Sequence, residues 1–308
     1  MSNLEPNIAI LLAAYNGMQW IEEQLDSIQA QEGVNVHIFI SVDASTDGTY
    51  EWGQNYARFC KNVTLLPPSE FSRGAARNFF RLLRDTPLND FDLVAFADQD
   101  DRWHPNKLAR AAAELATNVT QAYSSNVTAF WPDGAIRLLD KAQAQTKWDH
   151  YFEAAGPGCT YVLTKPFAVF VQQRVTLQWG ALREVALHDW YIYALARTHG
   201  FRWYVDPVPS MDYRQHTRNE FGANVGIQAL AERYRRIRNG WWFGQIKRIE
   251  NLVNHDRPPV ERPSWRKLRR SDFLWLSINA GQCRRATKDR ILFRVLCITL
   301  AVLGVKVI

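Results

Sequence analysis

Over the first 120 residues, short and largely apolar runs alternate with stretches of helical period. Ile8–Ala13, Val36–Val42, Val63–Leu66 and Leu93–Ala97 predict strands, and their near-continuous apolar character fits a sheet covered on both faces. Met18–Gln31, Asp47–Phe59, Gly74–Arg84 and Pro105–Ala116 predict the helices between them. Strand–helix alternation at this spacing predicts βαβ units and a mostly parallel sheet. In such sheets functional groups gather where strands end at the carboxyl edge. Tyr15-Asn16-Gly17, Asp43 and Asp98-Gln99-Asp100 all fall there, so three polar motifs are expected to converge on one crevice.

Residues 121–215 have a mixed pattern. Gly156-Pro157-Gly158 marks a turn, Cys159–Thr164 and Arg202–Val205 predict strands, and His188–Thr198 predicts a helix. Beyond about residue 225 the texture changes to Arg- and Trp-rich helices interrupted by Pro258-Pro259 and Pro263. Charge follows the same division. Residues 232–308 carry 18 Lys and Arg against 6 Asp and Glu, whereas 1–231 carry 19 against 25. Two regions are therefore expected, 1–225 and 226–308, the second basic enough to suit an anionic partner. At 308 residues and 47% apolar composition the chain can bury a sizeable core. The four cysteines form no CxxC pair and have no zinc-ligand spacing, which fits reduced thiols in the cytoplasm. The opening MSNLEPNIAILLAAYNG lacks a basic segment ahead of its apolar run and does not read as a secretory signal.

Five motifs carry candidate chemistry. In FADQDDRW, Asp98, Asp100 and Asp101 crowd a strand end. Such a cluster suits a hard divalent cation, Mg2+ or Mn2+, bridging carboxylates to diphosphate oxygens; a solvated acidic turn is the plainer reading. In SVDASTDGT, Ser45, Thr46 and Asp47 are helix-capping types, while Asp43 is placed to accept the ring N–H of uracil or thymine. Arg73, Arg77 and Asn78 open a helix and suit a diphosphate, or are surface arginines. Asp189, between His188 and Trp190, fits either an N-cap or a general base. Arg214 and His216, in YRQHTRN, would neutralise charge on a leaving phosphate. No GxGxxG, Walker A, HExxH or GxSxG motif occurs.

Taken in order, AAYNG, SVDASTDGT, GAARNFF, FADQDDRWHPNKL, GPGCTYVL, LHDWYIYALA and YRQHTRN resemble a family-two glycosyltransferase of GT-A fold, nearest to the bacterial rhamnosyltransferase-like enzymes of lipopolysaccharide and capsule assembly. The resemblance implies a Rossmann-like α/β domain. Ala13 and Tyr15, with Asn16, would line the nucleotide pocket, Asp43 would hold the base, and Asp98 with Gln99 the ribose or phosphate side. Asp100 and His216 would hold the metal and Arg214 the diphosphate. Asp189 would deprotonate the acceptor hydroxyl, with Gly158, Cys159 and Trp190 in the acceptor region. The implied reaction is inverting and metal-dependent, with dTDP-rhamnose as the favoured donor and a UDP-hexose as the alternative. Two departures stand out: Val42-Asp43-Ala44 replaces the common Asp-Asp-Gly, and His188 precedes Asp189 where many members have Glu.

The basic region joins Arg233, Arg235, Arg236 and Arg238 to Trp241-Trp242-Phe243, and Arg266, Lys267, Arg269 and Arg270 to Phe273, Trp275 and Leu276. Basic residues with interfacial aromatics suit an anionic membrane surface. Only Val295–Val305 lies between charges near the end, too short to span a bilayer. The expectation is peripheral attachment at the cytoplasmic face of an inner membrane, where a glycan or glycolipid acceptor would be met. The alternative is a terminal helix packed on the domain or in a homodimer. Nucleic-acid binding fits poorly, since a carboxylate-lined crevice repels a phosphate backbone.

Overall fold

The computed structural model describes residues 5–69, 74–117, 119–216, 239–258 and 263–304. Strand β1 (Asn7–Ala14) lies inside the main sheet, and its side chains alternate between two apolar layers. Ala9, Leu11 and Ala13 face one layer, and Ile8, Ile10, Leu12 and Ala14 the other. Burial on both faces explains why the run from Ile8 to Ala14 carries no polar side chain. β2 (Asn35–Val42) and β4 (Leu93–Ala97) flank β1 in parallel, with Ala13 opposite Ser41 and Leu12 opposite Ala97. β3 (Val63–Leu65) extends the sheet beyond β2.

The chain runs outward from β1 to β3 and then returns on the other side of β1 as β4. Strand order therefore reverses between β1 and β4, and a crevice opens at their carboxyl ends. On the far side β9 (Val162–Thr164) pairs antiparallel with both β4 and β6 (Ala122–Ser125), and β10 (Trp203–Asp206) completes seven strands.

One face of the sheet is covered by α1 (Ile21–Gln29), α2 (Thr49–Phe59) and α4 (Lys107–Leu115), through residues such as Leu25, Trp52 and Leu108. The other is covered by α3 (Ala75–Asp85), α5 (Lys165–Leu177) and α7 (His188–Thr198), the last following the short α6 (Trp179–Leu182). Phe79, Phe80, Phe167, Val171 and Tyr191 fill that layer. The expected strands and helices of the first half appear with ends shifted by a few residues. The segment expected as one strand from Cys159 divides into a 3-10 turn, Gly158–Thr160, and β9.

A second sheet was not anticipated. β5 (Arg102–Trp103), β7 (Val127–Phe130), β8 (Ile136–Leu139) and β11 (Met211–Arg214) lie in the order β5-β11-β7-β8. Pairing of Asp212 with Arg102 on one side and Thr128 on the other carries the end of β11 to the loop after β4.

The basic C-terminal helices share the core. α8 (Trp241–Val253), α9 (Arg270–Ile278), α10 (Ala280–Cys283) and α11 (Thr287–Leu303) contribute Phe243, Phe273, Cys283, Phe293 and Cys297 to the layer that holds α3 and α7. A buried ionic clasp reinforces the join. Asp149 accepts from Tyr193 Oη (2.7 Å) and Arg197 (3.0 Å), while Arg285, fully enclosed, lies 3.6 Å from both Asp149 and Glu153. The expected boundary at 225 and the arginines at 233, 235, 236 and 238 lie outside the described residues.

Candidate active site

The ends of β1, β2 and β4 are stitched together by polar side chains before any ligand is considered. The Tyr15 N–H donates to Gln99 Oε1 (2.7 Å), and Gln99 Nε2 donates back to the Tyr15 carbonyl (2.8 Å). Gly17 is required beneath this pair, because a Cβ there would lie 2.3 Å from Gln99 Oε1. Asn16, at φ 46°, accepts the Thr46 N–H on Oδ1 (2.8 Å) and joins the loop after β1 to the loop after β2. Asn78 donates to the Ser41 carbonyl (2.9 Å) and is buried. Gln99 and Asn78, expected at the donor, both bond strand-end backbone, because buried carbonyls and N–H groups at a strand end need partners. Ala13 is buried one residue before the end of β1, and Tyr15, 56% exposed, stands at the rim.

Asp43 is buried at the end of β2. Its two oxygens accept the Ala44 N–H (2.9 Å) and the Gly74 N–H (2.8 Å). Each oxygen retains a second lone pair. Arg77, in the first turn of α3, donates from Nε to the Arg183 carbonyl (3.0 Å), so it spans to the loop before α7. Arg73 lies outside the described residues.

The second sheet delivers the cationic side. Arg214 ends β11; its N–H donates to Asp101 Oδ1 (3.0 Å), its Nε donates to the Asp100 carbonyl (2.8 Å), and its guanidinium pairs with Glu23. Phe130 of β7 lies under that guanidinium at 4.7 Å. His216 Nε2 lies 2.7 Å from Asp100 Oδ2, and its ring stacks on Trp20 at 4.1 Å. The two residues expected to hold a cation, 116 positions apart in the chain, thus meet. A cavity of about 370 Å³ opens beside them between Trp20, Phe130, Pro132 and Gln215. Trp20, Glu23 and Phe130 support the site but were not singled out from the sequence, since they belong to no polar motif.

Beneath lies a second cluster. Asp98, Asp101 and Cys159 place ligand atoms within 4.8 Å of one another. Burial, then the Asp100 and Asp98 carboxylates, push Asp101 well above the usual carboxylate range. Burial and the Asp101 charge likewise push the Cys159 thiol up. Lys107, also buried, donates to the Cys159 carbonyl (3.1 Å), and burial brings it down to about 8. A hard cation prefers carboxylate oxygens and tolerates an imidazole. Asp100 with His216, and Asp98 at the crevice floor, fit that preference, and the buried Asp101 Oδ2 has no hydrogen-bond partner. Cys159, expected in the acceptor region, is fully buried beside the carboxylates.

Asp189 reaches the same place from the other side. It sits in the first turn of α7, half-buried, and Oδ1 accepts the Trp190 N–H (2.7 Å). Burial pushes its carboxyl up to about 6. The 3-10 turn Gly158–Thr160 bridges the two acidic groups. A Cβ at Gly158 would lie 3.1 Å from Asp189 Cβ and 2.5 Å from His188 Nε2, while the next residue, Cys159, touches the Asp98 and Asp101 cluster. His188 is stacked on Phe79 at 4.0 Å, and burial drops it to about 3, so it stays neutral. Trp190, expected in the acceptor region, is buried, and its indole donates to the His150 carbonyl (3.0 Å).

A carboxylate-lined crevice at the switch point of a Rossmann-like sheet, with a small second sheet bringing cations to its mouth, defines a GT-A nucleotide-sugar transferase. The chain belongs to glycosyl transferase family 2, whose model matches residues 9–169. It is 42% identical over 246 residues to a dTDP-rhamnosyl transferase of Shigella flexneri, RfbG, covering 80% of this chain and 85% of that protein. A shorter match, 29% over 110 residues, links it to TuaG of Bacillus subtilis, a putative teichuronic acid biosynthesis glycosyltransferase; it covers 36% of this chain and 42% of that one. Among solved structures, S. aureus TarS in complex with UDP-GlcNAc shares the fold with a TM-score of 0.53 at 13% identity, over 97% of this chain and 92% of that chain. The protein is therefore a nucleotide-sugar-dependent glycosyltransferase, similar to rhamnosyltransferases of its family.

Proposed function

We propose that this enzyme transfers rhamnose from dTDP-rhamnose, with inversion, to a hydroxyl of a lipopolysaccharide or other cell-surface glycan at the cytoplasmic face of the inner membrane. The observation that carries the chemistry is the placement of Asp189, a carboxyl raised to about 6, across the Gly158 turn from the Asp98–Asp101 cluster. A base on one side and an electrophile-stabilising site on the other suit a single displacement. The likeness to the Shigella enzyme supports the choice of donor.

In this reading Tyr15 stacks on the pyrimidine and Asp43 accepts its ring N–H. Arg214 binds the diphosphate. Asp100 and His216 would hold a divalent cation, whose charge would offset that developing on the leaving diphosphate. Asp189 accepts the proton of the acceptor hydroxyl as that oxygen attacks the sugar C1. Positioned general-base help of this kind contributes about 10²–10⁴ in rate.

Uracil presents the same N–H to Asp43, so a UDP-hexose is the reading to separate. The test is a thermal-shift panel with dTDP, UDP, GDP and CDP, each with and without Mn2+, because a ligand of the folded state raises its melting point by mass action. A Mn2+-dependent shift larger for dTDP than for UDP is expected. A larger UDP shift would move the donor to a UDP-hexose, and no pyrimidine shift at all would remove the site assignment.

A further inference from the structure

Helix α11 has two apolar faces. Phe293, Cys297, Leu300 and Ala301 point into the core. Ile291, Val295, Ile298 and Val302, at 58, 58, 47 and 68% exposure, point away from it. Their spacing of four, three and four residues draws one outward stripe along the helix. Leu292 and Leu303 are exposed beside it, and the adjoining α9 exposes Leu274 and Ile278. The two helices lie antiparallel: Arg294 Nε donates to the Ser277 carbonyl (3.3 Å), and a Cβ at Gly304 would lie 3.6 Å from the Arg270 guanidinium. Single exposed apolar residues are ordinary, but a stripe of this extent on neighbouring helices marks an interaction surface.

The charge around it indicates what covers it. Residues 263–304 carry nine Lys and Arg against two Asp and Glu, a net of +7. Both acids are engaged, Asp272 by Arg269 and Asp289 by Arg284. Lys267, Arg269, Arg270, Lys288 and Arg294 remain on the exposed surface. Among the described residues no helix is long and apolar enough to cross a membrane, and α11 is anchored to protein along its inner face. A second copy of the chain would bring a like-charged surface against this one. An anionic bilayer instead offers phosphates to the basic fringe and acyl chains to the stripe.

We infer that the α9–α11 face docks the enzyme in the plane of an anionic lipid bilayer, with Ile291, Val295, Ile298 and Val302 entering the headgroup–acyl boundary. This deepens the membrane-associated acceptor reading and rests on it for its benefit, not for its geometry. The same helical layer reaches the catalytic side: Arg285 donates to the Ala154 carbonyl, the Ala155 N–H donates to Tyr161 Oη (3.0 Å), and Tyr161 donates to the Asp189 carbonyl (3.3 Å). A surface held by α9 and α11 is thus connected to the base that would meet a lipid-borne hydroxyl.

The test is co-sedimentation of the full chain with vesicles of phosphatidylcholine alone or with 30% phosphatidylglycerol. It is repeated with the quadruple variant Ile291→Gln, Val295→Gln, Ile298→Gln, Val302→Gln, and with Lys267→Gln, Lys288→Gln. These positions are exposed and leave the core intact. At least tenfold stronger partitioning onto phosphatidylglycerol vesicles is expected, lost at least tenfold in the quadruple variant and weakened in the lysine variant. The dTDP thermal shift should be unchanged in both, which separates this proposal from the donor reading. Wild-type protein left in the supernatant with both vesicles would overturn it. So would a quadruple variant that sediments like wild type, or a wild-type dimer that the variant converts to monomer without any vesicle binding.

Discussion

Asp189 holds its proton to a higher pH than an ordinary aspartate because α7 carries it half inside the protein, where its Oδ1 accepts the Trp190 N–H. The folded-state value of about 6 lies above the ordinary 3.8. Ionised Asp189 therefore weighs on the fold fully above pH 6, and that burden fades as pH falls toward 3.8. Asp189→Asn is expected to raise the melting temperature at pH 7.5 and to leave it unchanged near pH 3.8; an equal gain at both would contradict the burial argument. Gly158 makes a sharper claim, since a methyl there overlaps His188 Nε2 at 2.5 Å. Gly158→Ala should displace the start of α7 and lower kcat by about a hundredfold, the scale of a 1 Å misplacement, with dTDP affinity kept. A parallel loss of dTDP binding would show that Gly158 serves the donor instead. Asp43, Asp98, Asp100 and Asp189 stood out in the sequence as carboxylates at strand ends or a helix start, positions where capping and ligand binding are both open to them. Gln99, Asn78, Cys159 and Trp190 bond backbone or lie buried, which their motifs did not foretell. Within a motif, a side chain that satisfies buried backbone looks the same as one that meets a ligand.

Elements buried on two faces were the easiest to read. β1 and β4 are apolar at nearly every position because alternate residues serve different layers, and α7 was placed at His188–Thr198 from its pattern. The second sheet escaped because its strands run two to four residues, with β8 largely exposed, leaving no period to detect. α5 escaped for another reason: its amphipathicity is weak, with Phe170 and Val169 half-buried alongside Phe167 and Val171. The C-terminal helices were read from their charge and interfacial aromatics, a pattern in which Arg285, a buried partner of Asp149 and Glu153, looks like any surface cation. Arg285→Met should therefore destabilise the protein by about 3 kcal/mol in urea unfolding, as expected when one member of a buried ionic group is removed. A loss below about 1 kcal/mol would mean that Arg197 and Arg284 suffice to hold the clasp.

The whole molecule sets an acidic crevice against a basic, aromatic-rich flank. The order of motifs along residues 8–225 carried the family by resemblance, and the model of glycosyl transferase family 2 matches residues 9–169 of that span. The family resemblance alone paired Asp100 with His216; no periodicity or spacing in the chain does so, because their meeting depends on a sheet only four short strands wide. The central claim is that Asp189 acts as the base toward a donor held at the Asp100–His216 side. Its most direct measurement is the pH profile of dTDP release from dTDP-rhamnose, with water as acceptor and Mn2+ present, for wild type and Asp189→Asn. A wild-type rate that falls below pH 6 is expected, with a variant slower by about 10²–10⁴ that binds dTDP-rhamnose as before. A variant that turns over at the wild-type rate, or a wild-type profile flat through pH 6, would contradict it.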